Sequence, residues 1–320
     1  GALAAQVTTA GGFGFLATGY SPTSKLRAEL DIARSVVQPN EKGVLPIGVG
    51  FLGWLLDKSE ATSEEQLSLV LDYHVQAIWL AFGDRLDHWV DRIRKLNEDK
   101  GGHRVLLFIQ VGSVREAEYA ANILKADVVV AQGKEAGGHG SAQGLSLLTL
   151  LPSILAALSP SGTPVLAAGG LATGSHMASL LALGASGIVL GTRYLLAPES
   201  LYSDAQRKAL LEAESTQSVR TMAFDEARNT LGWPKGIDGR ALLNDTVADY
   251  NRGEDVHILR KKYTEAEKAS DTNRTVTWAG AGVGLMTKIQ SAKDITAEVH
   301  QECLDRLDAV SKLASDGPLV

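Results

Sequence analysis

The chain has 320 residues, 45% of them hydrophobic and 21% charged, which predicts a substantial buried core and excludes a largely disordered chain. Its net charge of −6 and the lack of a dense Lys/Arg stretch argue against a nucleic-acid-binding or anionic-membrane-binding protein, and its longest uncharged apolar run is too short to span a bilayer. Cys303 is the only cysteine, which excludes an intrachain disulfide and favours a cytoplasmic location.

Predicted strands and helices alternate along the first 198 residues. Short apolar runs predict strands at 13–17, 44–51, 77–82, 104–111, 127–131, 163–168 and 187–190. Helical spacing of apolar residues predicts helices at 2–9, 25–37, 63–73, 86–99, 113–124, 147–158 and 175–183. Two capping boxes, Ser63 with Gln66 and Ser113 with Glu116, are expected to begin two of these helices.

Continuous apolar strands that alternate with helices predict a parallel sheet covered on both faces. The seven repeats are one short of a TIM-type (β/α)₈ barrel, and we expect the first strand to be missing from this chain, because it opens on the helix at 2–9. A doubly wound sheet is the alternative, but eight units are more than such a sheet usually holds in one run.

The character of the sequence changes after Pro198. Residues 199–278 are polar with helical spacing, which predicts a smaller helical region that shapes the substrate site. Residues 279–320 predict a glycine-rich turn and a closing helix that packs back on the barrel. We therefore expect three parts: a barrel at 1–198, the helical region, and the closing helix.

A nine-residue stretch, Gln-Gly-Lys-Glu-Ala-Gly-Gly-His-Gly at 132–140, follows the predicted strand at 127–131. Glycines let a backbone approach a ligand closely, and an imidazole beside them can exchange a proton near neutral pH. His139 is therefore the candidate catalytic residue, although many histidines are simply surface or hydrogen-bonded core residues. Glu135 could orient a neighbouring group or cap the loop.

Three glycine sites follow consecutive predicted strands. They are Gly137-Gly138 before His139, Gly169-Gly170, and Gly191-Thr192. In a barrel the carboxyl ends of the strands form the active-site face, and the loops after the last two strands commonly bind phosphate. The helix at 175–183 would add free N–H groups at its N-terminus. A tight turn is the alternative explanation for a Gly-Gly pair.

Four further positions carry weaker signals. Gln110 ends a strand, and its amide suits the edge of a flavin ring because it both donates and accepts. Trp278 could form a wall for an aromatic cofactor or be a core residue, and Arg193 could anchor a strand end through an ion pair. His176 is expected to be exposed. No His/Cys/Asp/Glu spacing indicates a metal site.

Together these motifs resemble the nitronate monooxygenases, formerly called 2-nitropropane dioxygenases. The resemblance rests on Gln132 to His139, on Pro-Val-Leu-Ala-Ala-Gly-Gly-Leu-Ala at 164–172, on Leu-Gly-Ala at 183–185, and on Gly-Thr-Arg-Tyr at 191–194. It extends from about residue 11 to 192 and resumes at 278–286. The order of the three glycine motifs makes it specific.

The resemblance implies a TIM barrel that binds FMN. It assigns FMN contacts to Gln132, Gly137 and Gly138, the FMN phosphate to Gly169, Gly170, Gly191 and Thr192, and the role of catalytic base to His139. We expect the family's first strand and its FMN-contacting loop to be missing from this chain. Gly50 stands where many members have Asn, and Gln110 stands where bacterial members often have Lys.

The predicted function is FMN-dependent oxidation of alkyl nitronates, with nitroalkanes as further substrates, by O₂. The partners expected are a small-molecule substrate and O₂, with no metal, and the oligomeric state is left open. One alternative is an FMN-dependent enoyl-thioester reductase that uses NAD(P)H, which needs no separate nicotinamide fingerprint. A non-catalytic flavin-binding protein is the other.

Overall fold

A computed structural model describes residues 1–159 and 161–315. The chain forms two compact units. The first contains residues 1–131 and 153–166, and the second contains residues 132–152 and the chain from 167 onward. The predicted boundaries after residues 198 and 278 stay predictions.

The elements up to the end of the fifth strand follow the predicted alternation, except that a short helix that was not predicted, Gly53–Leu56, comes directly after the second strand. In chain order they are α1 (Ala2–Thr9), β1 (Phe15–Ala17), α2 (Thr23–Val36), β2 (Leu45–Leu52), α3 (Gly53–Leu56), α4 (Glu60–Asp72), β3 (Val75–Ala81), α5 (Leu86–Asp99), β4 (Leu106–Val111), α6 (Val114–Asn122) and β5 (Val128–Gln132).

The remaining elements add short strands to the helices. They are β6 (Gly138–Ser141), α7 (Leu147–Leu158), β7 (Val165–Ala168), α8 (Gly174–Ala182), β8 (Gly187–Val189), α9 (Thr192–Leu195), α10 (Asp204–Glu212), β9 (Ser218–Thr221), α11 (Ala223–Arg228), β10 (Ile237–Leu242), α12 (Asp245–Asn251), α13 (Val256–Ala269) and α14 (Ala292–Ser315), with 3₁₀ turns at Ser215–Gln217 and Val283–Leu285.

Seven strands form one sheet in the order β1-β2-β3-β4-β5-β7-β8. The pairs from β1 to β5 are parallel, with Gly48 opposite both Phe15 and Ala77. The strands are apolar along most of their length because helices cover the sheet. The α/β class and all seven predicted strands of this sheet are confirmed, with ends that shift by one or two residues.

Beside its buried aliphatic strand residues, the first unit contains a cluster of four aromatic rings, of which Phe108 is buried and the other three are half-buried. Phe15 makes edge contacts with Phe13, Trp79 and Phe108 at centroid distances of 5.1–5.2 Å. Gly50 lies nearby on β2, where an added Cβ would approach Leu16 O and Trp79 Cβ no closer than 3.9 Å. Packing therefore does not require glycine at this position.

One of the two predicted capping boxes is wrong and the other is half confirmed. Helix α4 begins at Glu60, so Ser63 lies inside it and donates to the carbonyl of Leu56 at 2.9 Å. Ser113 does cap α6 by accepting from Glu116 N at 3.2 Å, whereas the Glu116 carboxylate accepts from Gly112 N. The error at Ser63 arises because the helix extends one turn further toward its N-terminus.

The second unit contains an antiparallel sheet that the sequence did not reveal. Its order is β6-β10-β9, so the glycine-rich stretch with His139 is partly a strand, and the region after residue 198 contains two strands besides its helices. These strands have few β-branched residues and several glycines and charges, which explains why no strand was predicted. No helix in the described part of the chain is long and apolar enough to cross a membrane.

Candidate active site

Strand β6 presents His139 on one face of the antiparallel sheet. His139 is opposite Gly239 of β10. Successive residues of a strand face opposite sides of the sheet, so positions 138 and 140, both glycine, belong to the other face. Gly239 has no side chain, so the Trp278 ring can lie directly over its Cα. A Cβ added to Gly239 would be 2.6 Å from that ring. The glycine thus lets Trp278 approach His139.

A buried carboxylate holds the His139 ring. His139 Nε2 lies 2.9 Å from Asp225 Oδ2, and the two side chains are 10% and 0% exposed. The other oxygen, Oδ1, accepts from Thr230 Oγ1 at 2.9 Å and from Trp233 Nε1 at 3.2 Å. Both carboxylate oxygens are therefore hydrogen-bonded, as a buried carboxylate requires.

Two tryptophans enclose the imidazole. Trp233 stacks on the face of His139 with a centroid distance of 3.5 Å and an interplanar angle of 9°. The Trp278 ring lies 5.0 Å away at 58°. Among residues 1–159 and 161–315, the hydrogen bond of the His139 ring is made by Nε2, and none involves Nδ1.

Side chains from neighbouring elements fix the backbone on both sides of His139. Gln132 Nε2 donates to the carbonyl of His139 at 3.2 Å. Arg220 donates to the carbonyl of Gly140 at 2.7 Å, and Arg240 donates to that of Lys134 at 3.1 Å. Burial lowers the pKa of Arg240. Gln132 therefore orients β6, whereas its predicted contact with FMN stays a prediction.

The glycine-rich segment 278–282 reaches two of the three glycine sites. Gly280 N donates to Thr192 Oγ1 at 2.9 Å. A Cβ at Gly137 would lie 2.5 Å from Gly280 N. Close backbone packing thus requires glycine at 137. Because the Thr192 hydroxyl accepts the hydrogen bond from Gly280, it can still donate its own hydrogen to a ligand.

The same segment continues to the third glycine site. Ala281 N donates to the carbonyl of Glu135 at 2.9 Å. A Cβ at Gly282 would lie 2.1 Å from the carbonyl oxygen of Gly170. The structure therefore brings together the predicted glycine sites of the second unit, and segment 278–282 connects them.

The loops after β7 and β8 have the features of an anion site. Gly169 and Gly170 have φ of +123° and +70°, which favours glycine. In the described part of the chain, the N–H groups of Gly170 and Gly191 donate to no protein acceptor. A Cβ at Gly191 would meet nothing within 4 Å. Free N–H groups beside open space suit a phosphate.

The expectation that the N-terminus of α8 supplies free N–H groups is wrong. Glu302 of α14 accepts hydrogen bonds from Gly174 N at 3.0 Å, Ser175 N at 3.3 Å and Ser175 Oγ at 2.6 Å. The Ser175 hydroxyl and these backbone groups hold the pKa of Glu302 below its ordinary value. A carboxylate of the protein thus caps this helix, and the sequence offers no signal for a partner 127 positions away.

Replacing Glu302 with Ala should lower the free energy of unfolding by about 0.5–2 kcal/mol at neutral pH, the usual range for a lost helix cap. Because the pKa of Glu302 is lowered, its contribution is present above the ordinary value of 4.5 and is lost as the pH falls through the lowered pKa. Urea unfolding of wild type and variant at neutral and acidic pH measures this difference. A difference in the free energy of unfolding that does not change with pH would show that the charge of Glu302 does not contribute to stability. Glu302→Gln, which removes the charge and keeps the shape of the side chain, is the matched control.

The remaining candidates have structural partners. Glu135 accepts from Ser146 Oγ at 2.7 Å and from Leu147 N, so it caps α7. Arg193 donates to the carbonyl of Lys288 and pairs with Glu298 at 3.5 Å, as the ion-pair interpretation predicts.

Two further predictions concern His176 and Gln110. His176 is half-buried rather than exposed, and its Nδ1 accepts from Ala172 N at 3.1 Å, so that prediction is wrong. Gln110 lies on β4 of the first unit, opposite Val130, and its contact with a flavin stays a prediction. Within the described ranges, no group of three or more His, Cys, Asp and Glu residues could hold a metal ion.

Comparison with known proteins gives a consistent family match. The model of a family described as nitronate monooxygenase matches residues 54–302. A nitronate monooxygenase of Metarhizium robertsii is 34% identical over 96% of this chain and 88% of its own length. A nitronate monooxygenase of Neurospora crassa is 33% identical over 98% of this chain and 89% of its own length.

Two solved structures share the fold of this chain. A nitroalkane oxidase from Streptomyces ansochromogenes has a TM-score of 0.76 at 26% identity, covering 97% of this chain and 93% of that chain. FabK from Thermotoga maritima has a TM-score of 0.77 at 21% identity, covering 98% and 91% of the two chains. At that identity the likeness to FabK shows a shared fold.

Proposed function

Because the chain belongs to the nitronate monooxygenase family, an oxidoreductase family, we propose that it oxidises alkyl nitronates with O₂ and uses FMN as its cofactor. Neutral nitroalkanes are further substrates in this proposal. The observation that carries it is the pairing of His139 with the buried Asp225 in the same unit as the free N–H groups of Gly170 and Gly191.

The residues of the phosphate site fit the single phosphate of FMN. Gly170 and Gly191 would donate their free N–H groups, Thr192 would add its hydroxyl, and Gly169 gives the loop its shape. When bound, the flavin supplies the redox chemistry by taking electrons from the substrate and passing them to O₂. Predicted contacts with the remainder of FMN come from Gln132, Gly137, Gly138 and Gln110.

His139 would act on the proton of the substrate. A neutral nitroalkane must lose its α-proton before it becomes a nitronate, and a histidine beside the substrate can accept that proton near neutral pH. The anionic nitronate needs no such transfer, and for this substrate His139 would serve as a hydrogen-bond partner of the nitro group. Trp233 and Trp278 would exclude water from most of the imidazole.

The cofactor proposal is tested by identifying the flavin. The purified protein is first reconstituted with a mixture of FMN and FAD. It is then denatured, and the released flavin is identified by mass spectrometry. FMN alone is expected, because FAD would require room for a pyrophosphate and an adenosine. Recovery of FAD, or of no flavin, would reject the proposal.

The substrate proposal is tested by mixing the oxidised protein with an alkyl nitronate without O₂. Loss of the yellow colour with the nitronate is expected. Loss of colour only with NADH, followed by reduction of an enoyl thioester, would instead support the enoyl-thioester reductase. Binding of FMN without reduction by either compound would indicate a non-catalytic flavin-binding protein. We expect the protein to act in the cytoplasm, in keeping with its single cysteine.

A further inference from the structure

We propose that Asp225 is a positioning residue that fixes the tautomer of His139, so that Nδ1 is the atom that accepts the substrate proton. The assignment of the proton acceptor rests on the proposed function, whereas the tautomer itself does not. Asp225 is distant in sequence from the glycine motifs, on α11.

The direction of the hydrogen bond follows from the chemistry of a carboxylate, which has no hydrogen to donate from either oxygen. Trp233 Nε1 and Thr230 Oγ1 both donate to Oδ1 of Asp225. Its second oxygen, Oδ2, then accepts from His139 Nε2 at 2.9 Å. In the neutral imidazole a proton on Nε2 leaves Nδ1 unprotonated, with a lone pair that can take a proton.

The stacked tryptophan supports the same arrangement. The lone pair of Nδ1 lies in the plane of the imidazole, whereas Trp233 covers the face of the ring at 3.5 Å. Stacking therefore fixes the ring plane without covering the reactive nitrogen. Because Trp233 also donates to Asp225, the same residue holds both members of the pair.

Replacing Asp225 with Asn separates positioning from packing, because the two side chains have the same shape. Thr230 and Trp233 both donate, so they would keep the amide oxygen of Asn at the position of Oδ1 and turn the amide nitrogen toward His139. Nε2 would then have to accept a hydrogen bond, and the imidazole proton would move to Nδ1. The ring would stay in place with its proton on the wrong nitrogen for the reaction.

The tautomer is measured by NMR of protein labelled with ¹⁵N-histidine, under alkaline conditions in which histidine is neutral, with His139→Ala to assign the signals. The protonated nitrogen should be Nε2 in the wild type and Nδ1 in Asp225→Asn. Thr230→Val, which removes a donor to Oδ1 but keeps the pair, should retain the wild-type tautomer. A proton on Nδ1 in the wild type would overturn the inference, even if Asp225→Asn did not fold.

Steady-state kinetics gives the second readout. Asp225→Asn should lower kcat/KM for a neutral nitroalkane by about 10²-fold, the lower end of the effect of a lost general base, and change oxidation of the nitronate less. Equal loss on both substrates with an unchanged tautomer would overturn the inference. If the wild type oxidised neither compound, the proposed function would fail, and the NMR result would still decide the role of Asp225 in fixing the tautomer.

Discussion

Replacing His139 with Ala should lower kcat/KM for a neutral nitroalkane by about 10²- to 10⁴-fold, the usual effect of removing a general base. Oxidation of the preformed nitronate should fall less, because no carbon–hydrogen bond has to lose its proton to a base. The FMN content should stay near that of the wild type, because the proposed phosphate ligands are the N–H groups of Gly170 and Gly191. Oxygen uptake with both substrate forms measures the two effects.

The exposed His257 on α13 provides a matched control. Its replacement with Ala should leave both activities unchanged. Equal losses on nitroalkane and nitronate in His139→Ala would contradict the role of base and leave a role in substrate binding. Unchanged activity on both would show that His139 is a structural residue of β6.

Replacing Gly191 with Val should weaken FMN binding by roughly 10- to 100-fold while leaving the stability of the apoprotein near that of the wild type. The added side chain meets no protein atom at its Cβ within 4 Å, and φ of −104° lies outside the left-handed region that favours glycine. It would point into the space proposed for the phosphate. A hydrogen bond to a charged group contributes roughly 1.5–3 kcal/mol, which sets the expected loss.

The Kd of FMN, from quenching of flavin fluorescence, and the Tm of the apoprotein measure the two sides of this prediction. Gly170→Val is the contrasting variant. With φ of +70° and a Cβ 2.7 Å from Glu135 Cβ, it should destabilise the protein itself by about 1–3 kcal/mol. If Gly191→Val bound FMN with the Kd of the wild type, the phosphate could not bind at Gly191.

The parallel sheet could be predicted because each strand carries its own signal. Runs such as Val128 to Ala131 are apolar throughout, and the helices between them have regular spacing. The antiparallel sheet could not be predicted in the same way. In β6, Gly138 and Gly140 flank His139, and β10 has Gly239 and Arg240 at its centre. These strands form because their backbones pair with each other, and the β propensities of their residues do not predict that pairing.

Part of the candidate site could be proposed from the sequence for a similar reason. His139 and the glycines were candidates because their order along consecutive strand ends is visible in the sequence. Asp225 was missed because it lies 86 positions from its partner, in a helix with no motif of its own. Glu302, whose carboxylate occupies the N-terminus of α8, was missed because only the packing of α14 on α8 brings the two together.

Oxygen uptake by the FMN-reconstituted protein, with an alkyl nitronate and separately with NADH as the electron donor, tests the proposed function most directly. Uptake that saturates with the nitronate, requires bound FMN and needs no NADH is the predicted result. Uptake with NADH alone, or no uptake with the nitronate in protein that has bound FMN, would contradict the assignment of nitronate oxidation to this chain.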